Sequence, residues 1–266
     1  MNDAQRLQLT LPALEREMGE DAFGVCLYVY DKTASTNLSA RQLVMDGFRG
    51  EAILAASEQS AGRGRLGRTF YSPAGCGAYF SILHTTKEPR HTVVRLTSAA
   101  AVAVMRAIRT LTGIACGIKW VNDLYLHGKK VCGILTEALP DPNDPILSHV
   151  IVGIGINWHP ATFDEELAHI AASVGVTDVS RAALIAEVWR ELSPFLNHPE
   201  DTSWLDDYRK HSTVLDKEVL WIENGTAHHG IAVGIDEEGA LLVEDEAGTL
   251  QALRTGEITL RVEQER

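Results

Sequence analysis

Gln59-Ser60-Ala61-Gly62-Arg63-Gly64-Arg65-Leu66-Gly67-Arg68 is the stretch on which the fold turns. By its glycines alone, Gly62-x-Gly64-x-x-Gly67 satisfies the G-x-G-x-x-G fingerprint of dinucleotide-binding βαβ units. That fingerprint requires a helix to start at once and an acidic residue about 20 positions on. Here Ser72-Pro73-Ala74-Gly75 follows, and then Ala78–His84, an apolar run that reads as a strand. A phosphate-binding P-loop fails too, because no Gly-Lys-Ser/Thr follows the glycines. The stretch is therefore a loop between two strands, Ala52–Ser57 and Ala78–His84, and not the first turn of a doubly wound sheet. Between Gln59 and Phe70 stand three arginines and no acid, in a chain whose net charge is −12. Glycines let backbone approach a ligand and aim N–H groups at an anion, while arginines grip carboxylate or phosphate in bidentate fashion. The plain alternative is a solvated loop with incidental charge, but the glycines and arginines alternate rather than scatter.

Outward from the loop, the chain reads as α+β. Val25–Tyr30 is an apolar strand, and Ser35-Thr36-Asn37 a turn that caps a helix running to about Phe48. Val93–Leu111 is a long, Ala-rich helix that must pack closely. Lys119–Glu137 reads as a hairpin turning at His127-Gly128, and Val150–Trp158 as a further strand. Helices are expected near 163–172, 180–196 and 200–210. Residues 1–24 carry only a short amphipathic pattern (Leu7, Leu9, Leu11, Leu14). From Ser212 the texture changes to short strands broken at Asn224-Gly225, Glu238-Gly239 and Ala247-Gly248, the spacing of a small all-β barrel. The expected division is 1–211 for a large domain and 212–266 for the barrel.

Two further segments hold chemistry. Lys119-Trp120-Val121-Asn122-Asp123 and Gly128-Lys129-Lys130 face each other across the expected hairpin, which would bring Asp123 near Lys130. Taken alone, such a pair is more often surface decoration than a site. Gly153-Ile154-Gly155-Ile156-Asn157 is a strand whose glycines allow a ligand or a second backbone to come close.

Composition excludes several classes. With 45% hydrophobic and 23% charged residues, the chain is neither disordered nor collagen-like. Its length suffices to bury roughly 70–75% of the unfolded surface. No window holds the apolar run of about 18 residues that a membrane span needs. The first 20 residues lack the basic flank and apolar core of a secretory signal. Cys26, Cys76, Cys116 and Cys132 fall at no metal-site or C-x-x-C spacing and read as reduced thiols of a cytoplasmic protein. A net charge of −12 speaks against a nucleic-acid surface while permitting a local cationic pocket.

Taken in order, these segments resemble the biotin protein ligases, also called biotin–[acetyl-CoA-carboxylase] ligases. The matching pieces are Ser35-Thr36-Asn37, then Gln59 to Arg68 with Ser72-Pro73, Lys119-Trp120 with Asn122-Asp123, Lys130 to Glu137, and Gly153 to Asn157. Gly234-Ile235, Gly239, Leu241-Leu242, Gly256-Glu257 and Leu260-Arg261 are similar to the family's terminal barrel, so the resemblance spans about Val25 to Arg261. It implies a catalytic domain similar to class II aminoacyl-tRNA synthetases followed by an SH3-like barrel. It also implies a two-step reaction: biotin and Mg2+-ATP give biotinyl-5′-AMP and pyrophosphate, and a lysine of biotin carboxyl carrier protein then displaces AMP.

By the same resemblance, Ser35, Thr36, Asn37, Gln59, Gly62, Arg63, Gly64, Arg65 and Lys130 bind biotin. Arg63, Arg68, Phe70, Lys119, Asn122 and Asn157 bind ATP, with Phe70 stacking on adenine. Arg65, Lys130 and Asp123 carry the chemistry, and Asp123 either deprotonates the acceptor lysine or only positions Lys130. No Mg2+ ligands are assignable. Glu257 and Arg261 either reach the site or belong to a barrel that only steadies the fold. The chain looks like the monofunctional type, with no room for the N-terminal helix-turn-helix of the repressor members. Many members dimerise through sheet edges, so a homodimer stays open. Two positions depart from the family: Val121 stands where proline is usual, and Phe70 where tryptophan is frequent. Competing readings are a lipoate or octanoate ligase, which shares the adenylation chemistry, and a non-catalytic biotin or adenylate sensor, which would need a broken cationic set.

Overall fold

The computed structural model describes residues 8–87, 93–223, 225–254 and 258–260. Leu7, Asn224, Gly256, Glu257 and Arg261, which entered the reading above, lie outside them. A seven-stranded mixed sheet forms the centre, made of β1 (Val25–Tyr30), β2 (Glu51–Ala56), β3 (Gly77–Thr86), β4 (Gly117–Lys119), β5 (Asp123–Leu126), β6 (Lys129–Pro140) and β7 (Ser148–Asn157). Their order across the sheet is β1-β2-β3-β7-β6-β5-β4, with β1 parallel to β2 and every other pair antiparallel.

Strand alternation sends successive side chains to opposite faces. Ile53 and Ala55 of β2 join the main core, while Ala52 and Leu54 join a second core on the reverse face. On the main face lie α1 (Leu11–Met18), α3 (Val93–Thr112) and α5 (Arg181–Asn197). In α3 the side chains of Ala99, Ala100, Ala101, Ala103 and Ala107 are buried, and their small size lets the helix lie close to the sheet and to α5. The reverse face carries α2 (Thr36–Met45), with Ala40 and Val44 packed on Leu54, Leu83 and Ile151.

Two short helices follow the central strands, α4 (Glu165–Ile170) and α6 (Leu205–Lys210). The C-terminal part is a five-stranded antiparallel sheet of β8 (Glu218–Glu223), β9 (Thr226–Ile235), β10 (Leu241–Asp245), β11 (Leu250–Leu253) and β12 (Ile258–Leu260), ordered β11-β10-β9-β8-β12. Val219, Trp221, Ala232, Ile235 and Val243 of this sheet belong to the same core as α3 and α5.

One expectation changes. Lys119–Glu137 is not a single hairpin: β4 ends at Lys119, Trp120-Val121-Asn122 turns the chain, and β5 and β6 form the hairpin at His127-Gly128. His127 (φ 50°) and Gly128 (φ 76°) adopt the left-handed pair that a two-residue hairpin turn of matching twist requires. The first turn is fastened from outside, because Trp120 Nε1 donates to Gly239 O in the β9–β10 turn at 2.9 Å and Tyr208 Oη donates to Val121 O at 3.1 Å.

Candidate active site

The reverse face of the sheet is hollowed beside α2. Gly133, Gly153 and Gly155 all point to that face, and they lie in two rows across the strands. One row runs Asp123-Gly133-Gly155-Tyr79 and the other Leu135-Gly153-Ser81. Glycines in the middle of a sheet leave space that side chains would fill. A cavity of about 350 Å3 occupies that space, roofed by the 62–71 loop and walled by α2, the Trp120–Asp123 turn and Phe163, Leu167 and Ile170 at α4. The cavity size is that of a small-molecule site.

At one end is a polar nest. Ser35 precedes α2 in an extended conformation, and its side chain makes no capping bond to the helix. Thr36 N donates to Gln59 Oε1 at 2.9 Å, and Gln59 Nε2 donates to Ser72 Oγ at 3.0 Å. Beneath them Ser81 Oγ lies 2.7 Å from Thr36 Oγ1 and 2.6 Å from Asn37 Oδ1. Asn37 Nδ2 donates to Glu137 Oε2 at 2.8 Å, and Glu137 in turn takes Arg41 at 2.9 Å. Asn37 is 4% exposed and its amide is used by the protein at both ends, so it orients its neighbours more than it offers a free hydrogen bond. A Cβ on Gly153 would collide with this amide. Ser81 is a supporting residue that motif reading did not single out, while Glu137 closes the Lys130–Glu137 motif without having been given a role; both point to the hollow side of their strands.

Beyond the nest the lining turns cationic. Arg63, Arg65, Arg68, Lys119 and Lys130 all line the cavity, against Asp123 as its one carboxylate among the described residues. Such an imbalance in a chain of charge −12 selects an anion. The loop is built, not slack: Phe70 N donates to Gly62 O, Gly64 N to Arg68 O, and Arg68 N to Arg65 O. Leu66 (φ 55°) and Gly67 (φ 76°) make its tip. Arg65 Nη1 donates to Asn122 Oδ1 at 3.1 Å, while Asn122 Nδ2 donates to Ile134 O at 2.9 Å, which ties the loop to the Trp120–Asp123 turn. Lys119 sits 5.6 Å from the centre of the Tyr125 ring. Lys130 Nζ is 2.7 Å from Asp123 Oδ1, with side chains 32% and 20% exposed, so this pair is not surface decoration. Phe70 lies along the glycine floor, where a Cβ on Gly155 would come 2.5 Å from its ring. Asn157 Nδ2 donates to Ala172 O at 3.0 Å.

Every residue expected to bind or react lines the cavity except Gly62. That glycine stands behind the loop, where a side chain would meet Phe70 O and Ser72 Oγ. Ile258, from β12, also lines it, so the C-terminal sheet reaches the site through an apolar residue. Phe163, Leu167 and Ile170 were not foreseen, because an apolar residue on a short helix carries no chemical signature. No histidine lines the cavity among the described residues. Cys132, beneath the floor, is fully buried, and burial pushes its thiol well above the ordinary range, so it is an inert filler. The arrangement is equipped to neutralise anions and hold polar groups in place, not for nucleophilic catalysis by the protein.

A polar nest joined to a cationic channel on this sheet defines a site for a small molecule that carries both neutral polar and anionic groups. Residues 29–157 match the biotin/lipoate A/B protein ligase family, and 214–261 match the biotin protein ligase C-terminal domain. The bifunctional ligase/repressor BirA of Bacillus subtilis is 33% identical over 239 residues, covering 86% of this chain and 72% of that protein. The biotin–[acetyl-CoA-carboxylase] ligase of Paracoccus denitrificans is 33% identical over 238 residues, covering 82% of this chain and 93% of that one. Among solved structures, the biotin protein ligase from Aquifex aeolicus in complex with biotin and ATP superposes with a TM-score of 0.75 at 29% identity, covering 89% of this chain and 98% of that one. The chain belongs to the biotin protein ligase family.

Proposed function

We propose that this protein ligates biotin to a lysine of biotin carboxyl carrier protein, using ATP and passing through biotinyl-5′-AMP. The observation that carries the reading is the junction of a neutral polar nest with a channel of five cations and one carboxylate. Biotin offers a ureido ring that needs hydrogen-bond donors and acceptors, and a carboxylate that needs a cation. Ser35, Thr36 and Gln59 face the ring, Asn37 steadies Thr36 through Ser81, and Lys130 meets the carboxylate. ATP lies along Arg63, Arg68, Lys119, Asn122 and Asn157, with adenine near Phe70.

In the first step a biotin carboxylate oxygen bonds to the α-phosphorus and pyrophosphate leaves. Two anions must meet, so Lys130 offsets their repulsion and the charge that grows between them, while Arg65 clamps the anionic middle of the adenylate. In the second step the carrier lysine, whose reference pKa is about 10.4, attacks the acyl carbon as the neutral amine and AMP leaves. Asp123 serves both steps by holding Lys130. The Arg-Gly loop keeps water from the mixed anhydride.

Mg2+ enters with ATP. Among the described residues no group of three His, Cys, Asp or Glu could hold a metal, and the cavity's only carboxylate faces Lys130, so a bound ion would take most of its ligands from phosphates and water. When bound, the ion neutralises phosphate charge. The domains divide at about 211/212. No helix among the described residues is long and apolar enough to cross a membrane, and an exposed, unpaired Cys26 fits work in the reducing cytosol. The outer edge of β1 pairs with no further strand among the described residues, which leaves room for a homodimer there.

The test is pyrophosphate–ATP exchange with biotin, lipoate, octanoate or no acid. Biotin-dependent exchange is expected. Exchange with lipoate or octanoate instead would move the protein to the sister branch, and none from folded protein would leave a sensor.

A further inference from the structure

A second cavity, of about 370 Å3, opens just past the C-terminal end of β7, with Gly75, His159, Pro160, Thr177 and Arg181 in its wall. Arg181 is 5% exposed. Its Nη1 reaches Gly77 O at only 3.5 Å, its Nε has no partner, and no ion pair among the described residues includes it. Buried charges in proteins are ordinarily paired, because an unpaired one forfeits its hydration for nothing.

Arg181 is also the first residue of α5, a helix of 17 residues, where the helix dipole already presents positive potential and a cation is the unfavoured choice. The helix end itself is capped, since Ser180 accepts from Ala183 N at 3.0 Å, so the excess positive charge is that of the side chain.

His159 stands beside it, 8% exposed. Its Nδ1 lies 2.8 Å from Val176 O, and a carbonyl can only accept, so the Nδ1 proton is committed there. Nε2 is left without a partner among the described residues. Burial and the nearby Arg181 hold its pKa below the ordinary value, and among the described residues no carboxylate acts on it or on Arg181, whose titratable neighbours are Tyr79 and Cys76.

Arg181 and His159 thus border one hollow beside a helix N-terminus, and among the described residues nothing negative meets them. We propose that Arg181 and His159 form a second oxyanion site that takes phosphate or carboxylate, separate from the cavity beside α2. The guanidinium supplies two parallel donors to the anion, and His159 adds a third when protonated through Nε2.

The site is read through His159 in the full chain labelled at histidine. At constant ionic strength in chloride, the protein is titrated in separate arms with inorganic phosphate and with acetate, and the imidazole signals are followed by NMR, His159 being assigned with His159→Gln. A saturable shift of His159 in at least one arm is expected, weakened about tenfold in Arg181→Lys, which keeps the charge but loses the fork, and abolished in Arg181→Gln. A response to phosphate alone or acetate alone names the source. Absence of any saturable shift in the wild-type chain, which needs no variant to fold, overturns the proposal, as does an undiminished shift in a folded Arg181→Gln.

Discussion

Lys130 Nζ and Asp123 Oδ1 stand 2.7 Å apart on the hollow side of the β5–β6 hairpin. Backbone pairing sets Lys130 opposite Tyr125 and Asp123 opposite Gly133, and the register slips between Leu124 and Tyr125. That irregularity leans Lys130 back toward Asp123. Half-buried, the pair is screened less than a surface pair, and the carboxylate fixes where the ammonium sits. Asp123→Asn is expected to raise the KM for biotin and slow adenylation and transfer together, about tenfold each. Pyrophosphate exchange measured beside carrier biotinylation checks this. Intact exchange with lost transfer would instead make Asp123 the base for the acceptor lysine.

Arg65 is tied to Asn122 and thereby to the Trp120–Asp123 turn. Arg65→Gly removes a clamp on the anionic middle of the intermediate, so adenylate should leak into water. AMP release without carrier is expected to rise severalfold while exchange persists. Loss of exchange would show that the guanidinium acts in the first step itself.

Gly153 leaves the space in which the Asn37 amide lies. Gly153→Ala should push that amide off Ser81 and Glu137 and disturb Thr36 with it. Losing one or two such bonds costs about 2 kcal/mol, which corresponds to roughly 30-fold in biotin affinity. Calorimetric titration with biotin measures it, and an unchanged affinity would remove Asn37 from the positioning role.

The indole of Trp120 donates to Gly239 O at 2.9 Å, from the turn under the active site to the β9–β10 turn. Trp120→Phe keeps an aromatic ring but leaves a gap in the core and orphans a buried carbonyl, the lost bond alone costing about 1–3 kcal/mol. A lower urea midpoint is expected, together with a raised KM for ATP, because Asn122 hangs on the same turn. A stability loss with unaltered ATP kinetics would confine the bond to holding the fold.

Asp141 accepts from Arg49 twice, from Asn143 N and Asp144 N, and pairs with His149. The Arg49 guanidinium, foremost, holds its carboxyl well below the usual range. A depressed folded pKa means that the native state binds fewer protons than the unfolded one. This contribution is therefore complete above about pH 3.9, the unfolded value, and is lost as pH falls further. Urea midpoints measured from pH 5 to pH 2 should fall less steeply for Asp141→Asn than for the parent chain. Equal slopes would show that other carboxylates govern the acid limb.

The sequence by itself determined the strands, the long alanine-rich helix, the cationic loop and the motifs that mark the family. Each is local: alternation, glycine and proline punctuation, and charge density are visible over a dozen residues. It also placed Asp123 near Lys130, since a hairpin is a short-range object. Only the tertiary structure decided that Gly133, Gly153 and Gly155 fall in two rows that hollow one face of the sheet, because strand order and register are set by packing between distant segments. The same holds for Ser81, an ordinary strand residue, for the part Glu137 plays in holding Asn37, and for Gly62, which supports the loop from behind instead of lining the cavity. Phe163, Leu167, Ile170 and Ile258 reach the site from helix and barrel, and apolar residues announce nothing about where they will point. Arg181 reads as a surface arginine at a helix start; its burial without a counter-charge exists only because α5, β3 and the segment after β7 close around it.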